Sequence, residues 1–490
     1  MSKRSYLKSP DLFPIAGQDR NMSTAGFAIL WVSMAVVLAA FAIGGDGIQQ
    51  LPLHLVILAT LVGSIGIGIC MTLTGDIGIE HGLSFPVYLR APFGTLGTHI
   101  PSIMRGFVAS CWFGVNTFFG ATGINAILLM VYGIDQWFLC FLLFAALQLF
   151  NTAFGIKAVE RFANLAAPII VIISGWMYLT LSDQAQAAGR DIWGWVENPV
   201  TGTAVMGSFA VIAMATMGFW GTLAADMPSL SRFIKAPKYE RNWFKRNKGQ
   251  LIGSLIAMPL VHTFMVVVGA VSYIAVTISN PVDALLETTS NVLLLGVLML
   301  MIALAQWSTN TSSNLIPAAT IFSNVGGPRV PHWVGVIVAG LIGVLVQPWN
   351  LFGIIVPALL VVGGILASIV GILVADYYFI RKRRVNVTEL YEEKGQYHYW
   401  KGLNVAGLLS WVIGGGVSLL LPSYSYLVGL VAGGLLYYVS AKYWWFKLYK
   451  QAELENPRDE LFLGLTVGRD WTISETEEEV VAEEAKTQTS

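Results

Sequence analysis

Apolar residues in this chain come in unbroken runs rather than in the short alternations of a soluble strand or the striped faces of a soluble helix. About twelve runs of roughly 20 mainly apolar residues, the length that spans hydrocarbon as an α-helix, lie near 26–46, 53–74, 104–131, 136–157, 161–182, 204–226, 251–278, 292–321, 332–346, 350–379, 403–421 and 424–446. The pattern predicts an all-α integral membrane protein with about 12 transmembrane helices. Composition agrees, since 55% of the 490 residues are hydrophobic and only 12% are charged, which excludes an ordinary soluble globule.

The eighth run departs from this pattern. After Trp307 come Ser308, Thr309, Asn310, Thr311, Ser312, Ser313 and Asn314, all polar and none charged. Unpartnered polar groups are costly in hydrocarbon, so this stretch is expected to face the protein interior or a watery cavity and to line a binding site. On a helix Ala305, Ser308, Thr309 and Ser312 fall near one face. Adjacent hydroxyls beside the carbonyls of a broken helix are suited to a hard monovalent cation such as Na⁺. The competing reading is that the hydroxyls bond to their own helix or hold helices together.

The third run places Trp112 and Asn116 one turn apart on one face. Counted from Arg105, the expected membrane edge, Trp112 lies about 10 Å in, deeper than the interfacial aromatic belt. An indole that stacks on a ring beside an amide that reads its edge suits a planar polar ligand. Trp220 and Asn314 are further candidates for this site, and plain packing is the alternative.

Glycines mark where helices are expected to break. The first run ends in Gly44, Gly45, Asp46 and Gly47, and the sixth carries Gly218 and Gly221 around Trp220, followed by Asp226 and Pro228. Breaks at matching places in two halves, 26–182 and 204–379, point to a transporter built from two five-helix inverted repeats. Residues 1–25 then form a cytoplasmic segment, 380–402 a cytoplasmic loop, 403–446 two accessory helices and 451–490 an acidic, disordered tail. Lys and Arg concentrate before the first run and after the sixth and tenth, which places both termini in the cytoplasm.

With zero formal net charge no nucleic-acid partner is implied. Cys70, Cys111 and Cys140 fall within the runs as packing residues. Asp46 and Asp226 are candidates for proton coupling, gating or helix capping, Asp376 is expected at the interface, and His262 is read as packing or an interhelical hydrogen bond. No phosphate loop, metal cluster or nucleophile motif in context suggests an enzyme.

Several separate stretches together resemble the nucleobase:cation symporter-1 family, which includes purine and cytosine permeases and allantoin and hydantoin transporters. They are WSTNTSSNLIPA in the eighth run, CWFGVNTFFGA in the third, IKAVERFANLAAP entering the fifth, PWNLFG opening the tenth, ADYYFIRKRR closing it and LYEEKGQYHYWKGLN beyond. The resemblance covers roughly residues 15–450. It implies a LeuT-type 5+5 inverted repeat with two extra helices, alternating access, and import of a small planar heterocycle with Na⁺ or H⁺. A monomer in the cell (inner) membrane, with lipid around it, is expected.

Carried over by position, the resemblance gives a Na⁺ site from the Ser308 and Thr309 hydroxyls and the carbonyls of Ala305, Ser33 and Val36. Substrate lies between Trp112 and Trp220, read by Asn116 and Asn314. Three positions depart from the family's pattern: Asn116 stands where its hydantoin transporters have Gln, Val37 stands where a polar Gln or Asn is usual, and Phe219 replaces the Gly that precedes the sixth-run Trp. Na⁺-coupled import is thus the leading expectation, with a proton-coupled symporter and a channel or facilitator as alternatives.

Overall fold

The computed structural model describes residues 6–473 apart from 155–156, 279 and 289–290. The acidic stretch beyond residue 473 and the basic residues Lys3 and Arg4 lie outside the described residues. The described chain is helical, with two isolated β-bridges, Met22 to Ile234 and Trp400 to Leu403, and no named strand. Among the described residues the thirteen longer helices make twelve rods: α1 (Thr24–Ala35) with α2 (Ala40–Ile48), α3 (Leu53–His81), α4 (His99–Tyr132), α5 (Trp137–Phe154), α6 (Lys157–Ala187), α7 (Thr203–Ser231), α8 (Lys248–Val276), α9 (Val292–Gly326), α10 (His332–Leu345), α11 (Ile355–Ile380), α12 (Val405–Leu419) and α13 (Pro422–Leu448).

Apolar side chains face outward as well as inward. On α3, Leu58, Val62, Ile65 and Ile69 form a stripe at helical spacing and each is between 45% and 50% exposed. Such a surface would drive association in water and is at home in lipid.

The first rod is broken, at a different point from the one the glycines suggest. α1 and α2 meet at 57° across residues 36–39, where Val37 N bonds back to Ala35 O (3.0 Å) and Ala40 N to Val37 O (3.1 Å) in place of the helical ladder. β-Branched Val36 and Val37 are stiff at χ1 and disfavour helix at this point. Gly44 lies inside α2, where a Cβ would come within 2.0 Å of Val266 O, so it permits close contact with α8.

The sixth run does not break. α7 is continuous over 29 residues, with Pro228 inside it. A Cβ on Gly218 would lie 2.3 Å from Leu359 O, and one on Gly221 would lie 3.0 Å from Tyr426 Cε2. These glycines let α7 lie against α11 and α13; they do not unwind it.

The tail also departs from expectation. Residues 451–473 are docked on the face that carries the basic loops. Glu453 is 1% exposed and pairs with Arg381, while Gly464 N and Thr466 N both donate to Glu80 Oε1 at 3.1 Å. Buried carboxylates and backbone donors give this segment fixed partners, which the composition of residues 451–490 as a whole does not show.

Candidate functional site

The break in the first rod sits against the polar stretch of α9. Thr309 Oγ1 donates to Ser33 O at 3.4 Å, and Ser33 Oγ lies 3.4 Å from Ser308 Oγ. Ser33, Ser308 and Thr309 thus meet where α1 ends and α9 passes, and the other two expected cation donors, Val36 and Ala305, are buried as they are. They are neutral hydroxyl and carbonyl oxygens, a donor set suited to a hard monovalent cation. Among the described residues no group of three or more His, Cys, Asp or Glu side chains could hold a metal.

Two neighbouring hydroxyls follow the other reading. Ser312 Oγ donates to Ser308 O at 3.1 Å and Thr311 Oγ1 to Trp307 O at 3.0 Å, so both serve their own helix. Ser312 shares a sequence face with Ser308, but its hydroxyl is bonded back to carbonyls of its own helix.

Beside the oxygens lies a cavity of about 30 Å³, lined by Val37, Trp112, Asn116, Phe219, Trp220, Thr309 and Asn314, together with Met34, Thr222, Leu223 and Ser313. All six residues expected to meet substrate are brought together here. Thr309 belongs to both groups, joining the oxygen cluster to the aromatic cavity. Phe219 lies against both tryptophans, with ring centroids 4.8 Å from Trp112 and 5.2 Å from Trp220. Asn116 Oδ1 and Trp220 Nε1 are buried without a hydrogen-bond partner.

Asn314 is held in place by a network that the sequence does not reveal. Its amide nitrogen donates to Asn310 Oδ1 at 2.8 Å. Asn310 Nδ2 in turn reaches Phe113 O (3.0 Å), Thr117 Oγ1 (3.0 Å) and Gln148 Oε1 (2.9 Å), tying α9 to α4 and α5. Asn310 was visible only as one polar residue among seven, because its partners lie on other helices.

The carboxylates differ from expectation. Asp46 is exposed on α2 and borders neither the cavity nor the oxygen cluster. Asp226 on α7 is 1% exposed and pairs with Arg105 of α4 at 3.3 Å. Arg105, the expected membrane-edge residue, is thus fully buried; it also reaches Ser313 O at 3.5 Å. Asp376 is enclosed, accepting from Tyr88 (2.9 Å), Tyr437 (2.7 Å) and Arg381 Nε (2.8 Å). His262 makes no interhelical hydrogen bond and packs on Phe219 and Trp220.

The profile of a family described as permease for cytosine/purines, uracil, thiamine, allantoin matches residues 14–444. The hydantoin permease of Microbacterium maritypicum is 29% identical over 467 residues, covering 92% of each chain. The allantoin permease of Bacillus subtilis (strain 168) is 29% identical over 469 residues, covering 88% of this chain and 93% of its own. Among solved structures, Mhp1, a nucleobase-cation-symport-1 family transporter in a closed conformation with bromovinylhydantoin bound, superposes with a TM-score of 0.83 at 27% identity, covering 91% of this chain and 97% of its own.

Proposed function

Because this chain belongs to the nucleobase:cation symporter-1 family of membrane permeases, we propose that it imports a nucleobase-like, hydantoin-like or allantoin-like heterocycle together with Na⁺ by alternating access. It is a transporter and not an enzyme. The observation that carries the proposal is the shared wall at Thr309, which donates to the carbonyl of Ser33 and also lines the cavity between Trp112, Trp220, Asn116 and Asn314.

In this reading Na⁺ is held by the Ser33 and Val36 carbonyls, the Ala305 carbonyl and the Ser308 and Thr309 hydroxyls. It fixes the end of α1 against α9. α1 and the break after it carry Met34 and Val37 to the cavity, and α9 carries Asn314, so ordering them for one solute orders them for the other. Cation and substrate then raise each other's affinity by an equal factor. The heterocycle packs on the indoles of Trp112 and Trp220 while Asn116 and Asn314 pair with its amide edge. Five helices and five in inverted order, followed by α12 and α13, with both termini in the cytoplasm of a monomer in the cell membrane, complete the proposal.

The test is uptake into proteoliposomes of labelled uracil, cytosine, adenine, hypoxanthine, allantoin and hydantoin, under an imposed Na⁺ gradient, an imposed proton gradient, or neither. Accumulation of one or a few of these above the external level only with the Na⁺ gradient is expected. Accumulation driven by protons alone would replace the coupling ion, and equilibration without concentration would make the protein a facilitator.

A further inference from the structure

Phe219 is surrounded by three rings. Besides Trp112 and Trp220 it packs on His262 of α8, with centroids 5.1 Å apart, and His262 and Trp220 are themselves 5.5 Å apart. His262 is fully buried, and neither Nδ1 nor Nε2 has a hydrogen-bond partner. An imidazole carries at least one N–H and, when neutral, one bare nitrogen. Enclosing both unpaired costs free energy that a phenyl ring in the same place would not.

Trp220, whose ring adjoins the imidazole, also carries an unpaired Nε1, and the cavity holds other unsatisfied groups. Asn116 Oδ1, Trp220 Nε1 and Ser313 Oγ are buried without partners, and their residues line the cavity. His262 does not line it; Phe219, which does, packs on its ring. At about 30 Å³ the cavity has room for a water molecule or two. A heterocyclic ring therefore enters only if a lining side chain gives way. Phe219 makes no hydrogen bond that anchors it, and its ring both lines the cavity and packs on the imidazole.

We propose that His262 is a further specificity-determining residue of this site, concealed behind Phe219 and presented to the heterocycle when that ring turns aside. Its N–H donates to a ring carbonyl oxygen, or its bare nitrogen accepts from a ring N–H. The ligand class is thus a planar ring with both kinds of edge, held on a third side besides those met by Asn116 and Asn314. The inference rests on the transport reading above.

Two measurements test it. His262→Phe keeps a ring against Phe219 and Trp220 and removes both nitrogens, whereas His262→Asn keeps a donor and an acceptor. For whichever of hydantoin, allantoin or uracil the wild-type protein accumulates, KM rises about tenfold in His262→Phe, the loss of one ligand hydrogen bond, and is partly restored in His262→Asn. Equal KM in wild type and His262→Phe, or equal loss in both variants, would reduce His262 to packing. Separately, diethylpyrocarbonate modification of the purified protein is read by mass spectrometry at His262. The wild type stays unmodified there and Phe219→Ala becomes modified; an unmodified His262 in Phe219→Ala would overturn the concealment. Absence of uptake by the wild type would strike at the transport reading, and the labelling would still decide whether Phe219 covers His262.

Discussion

Thr309 stands where the two parts of the site touch. Its hydroxyl reaches the Ser33 carbonyl at 3.4 Å, and its side chain also borders the aromatic cavity. Thr309→Ala removes one neutral oxygen from the proposed cation donors without altering a charge. A lost hydroxyl contact of about 1 kcal/mol corresponds to a roughly fivefold rise in the Na⁺ concentration that half-activates uptake. The measurement is initial uptake rate against external Na⁺ at fixed substrate, and an unchanged activation curve would remove Thr309 from the cation site. At this scale much was legible in the sequence. Ser308, Thr309, Trp112 and Asn314 stand out because polar or bulky amphipathic groups deep in an apolar run need partners. His262 and Arg105 did not stand out in the same way, because what matters about them is which side chains other helices bring, or fail to bring, to meet them.

α9 shows how an element converts such residues into a site. Its helix widens to a π-turn over Thr311–Leu315, a local form often found at functional places in helices. Pro317 follows two residues later and has no N–H to give Ser313 O. That carbonyl instead receives Arg105 at 3.5 Å. The same order, a π-turn over Gly253–Ala257 and then Pro259, recurs in α8. The sequence therefore held a signal for these distortions in its prolines, while the glycines of the sixth run suggested a break that α7 does not have. Glycine in a membrane helix serves close packing as readily as bending, and only the neighbour, here Leu359 O over Gly218, tells which. Asn310, one residue before the π-turn, clamps α9 to α4 and α5. Asn310→Ala strands Gln148 Oε1 and frees Asn314, and the loss at a buried polar junction of this kind is about 1–2 kcal/mol. The expected outcome is a lower melting temperature in detergent together with weaker substrate affinity, because Asn314 loses its support. A variant that melts and transports like the wild type would show the network to be dispensable.

At the scale of the whole molecule, the segment after α13 closes one face of the bundle. Arg246, just ahead of α8, is completely buried between two carboxylates of α3, with Nη2 2.6 Å from Asp76 Oδ1 and Nε 3.1 Å from Glu80 Oε2. Its Nη1 donates to Thr466 Oγ1 at 2.9 Å, and Thr466 Oγ1 donates to Glu80 Oε2 at 2.6 Å. Farther along, Asp470 Oδ1 accepts from Gly17 N at 2.8 Å, and Asp470 Oδ2 meets Lys238 Nζ at 2.5 Å. One short segment thus holds the start of α8, the end of α3 and the lead-in to α1 in fixed relation. Composition alone reads it as a solvated tail, since six of the eleven acidic residues of 451–490 lie beyond residue 473 and the rest are not distinguished from them by sequence. Around residues 464–466 the docking runs through one buried cation, Arg246, which meets Asp76, Glu80 and Thr466. Arg246→Met removes the guanidinium that pairs with both Asp76 and Glu80, at a cost of about 3–5 kcal/mol for breaking a buried ion pair from one side. The expected result is undocking of residues 464–470, read as faster amide exchange and new protease cleavage there, with a fall in melting temperature. Adding Asp76→Asn and Glu80→Gln to that variant removes the stranded charges and should restore much of the melting temperature without restoring the ion pairs. Failure of the triple variant to recover would mean that the geometry of the Arg246 fork, and not the charge it neutralises, holds the segment in place.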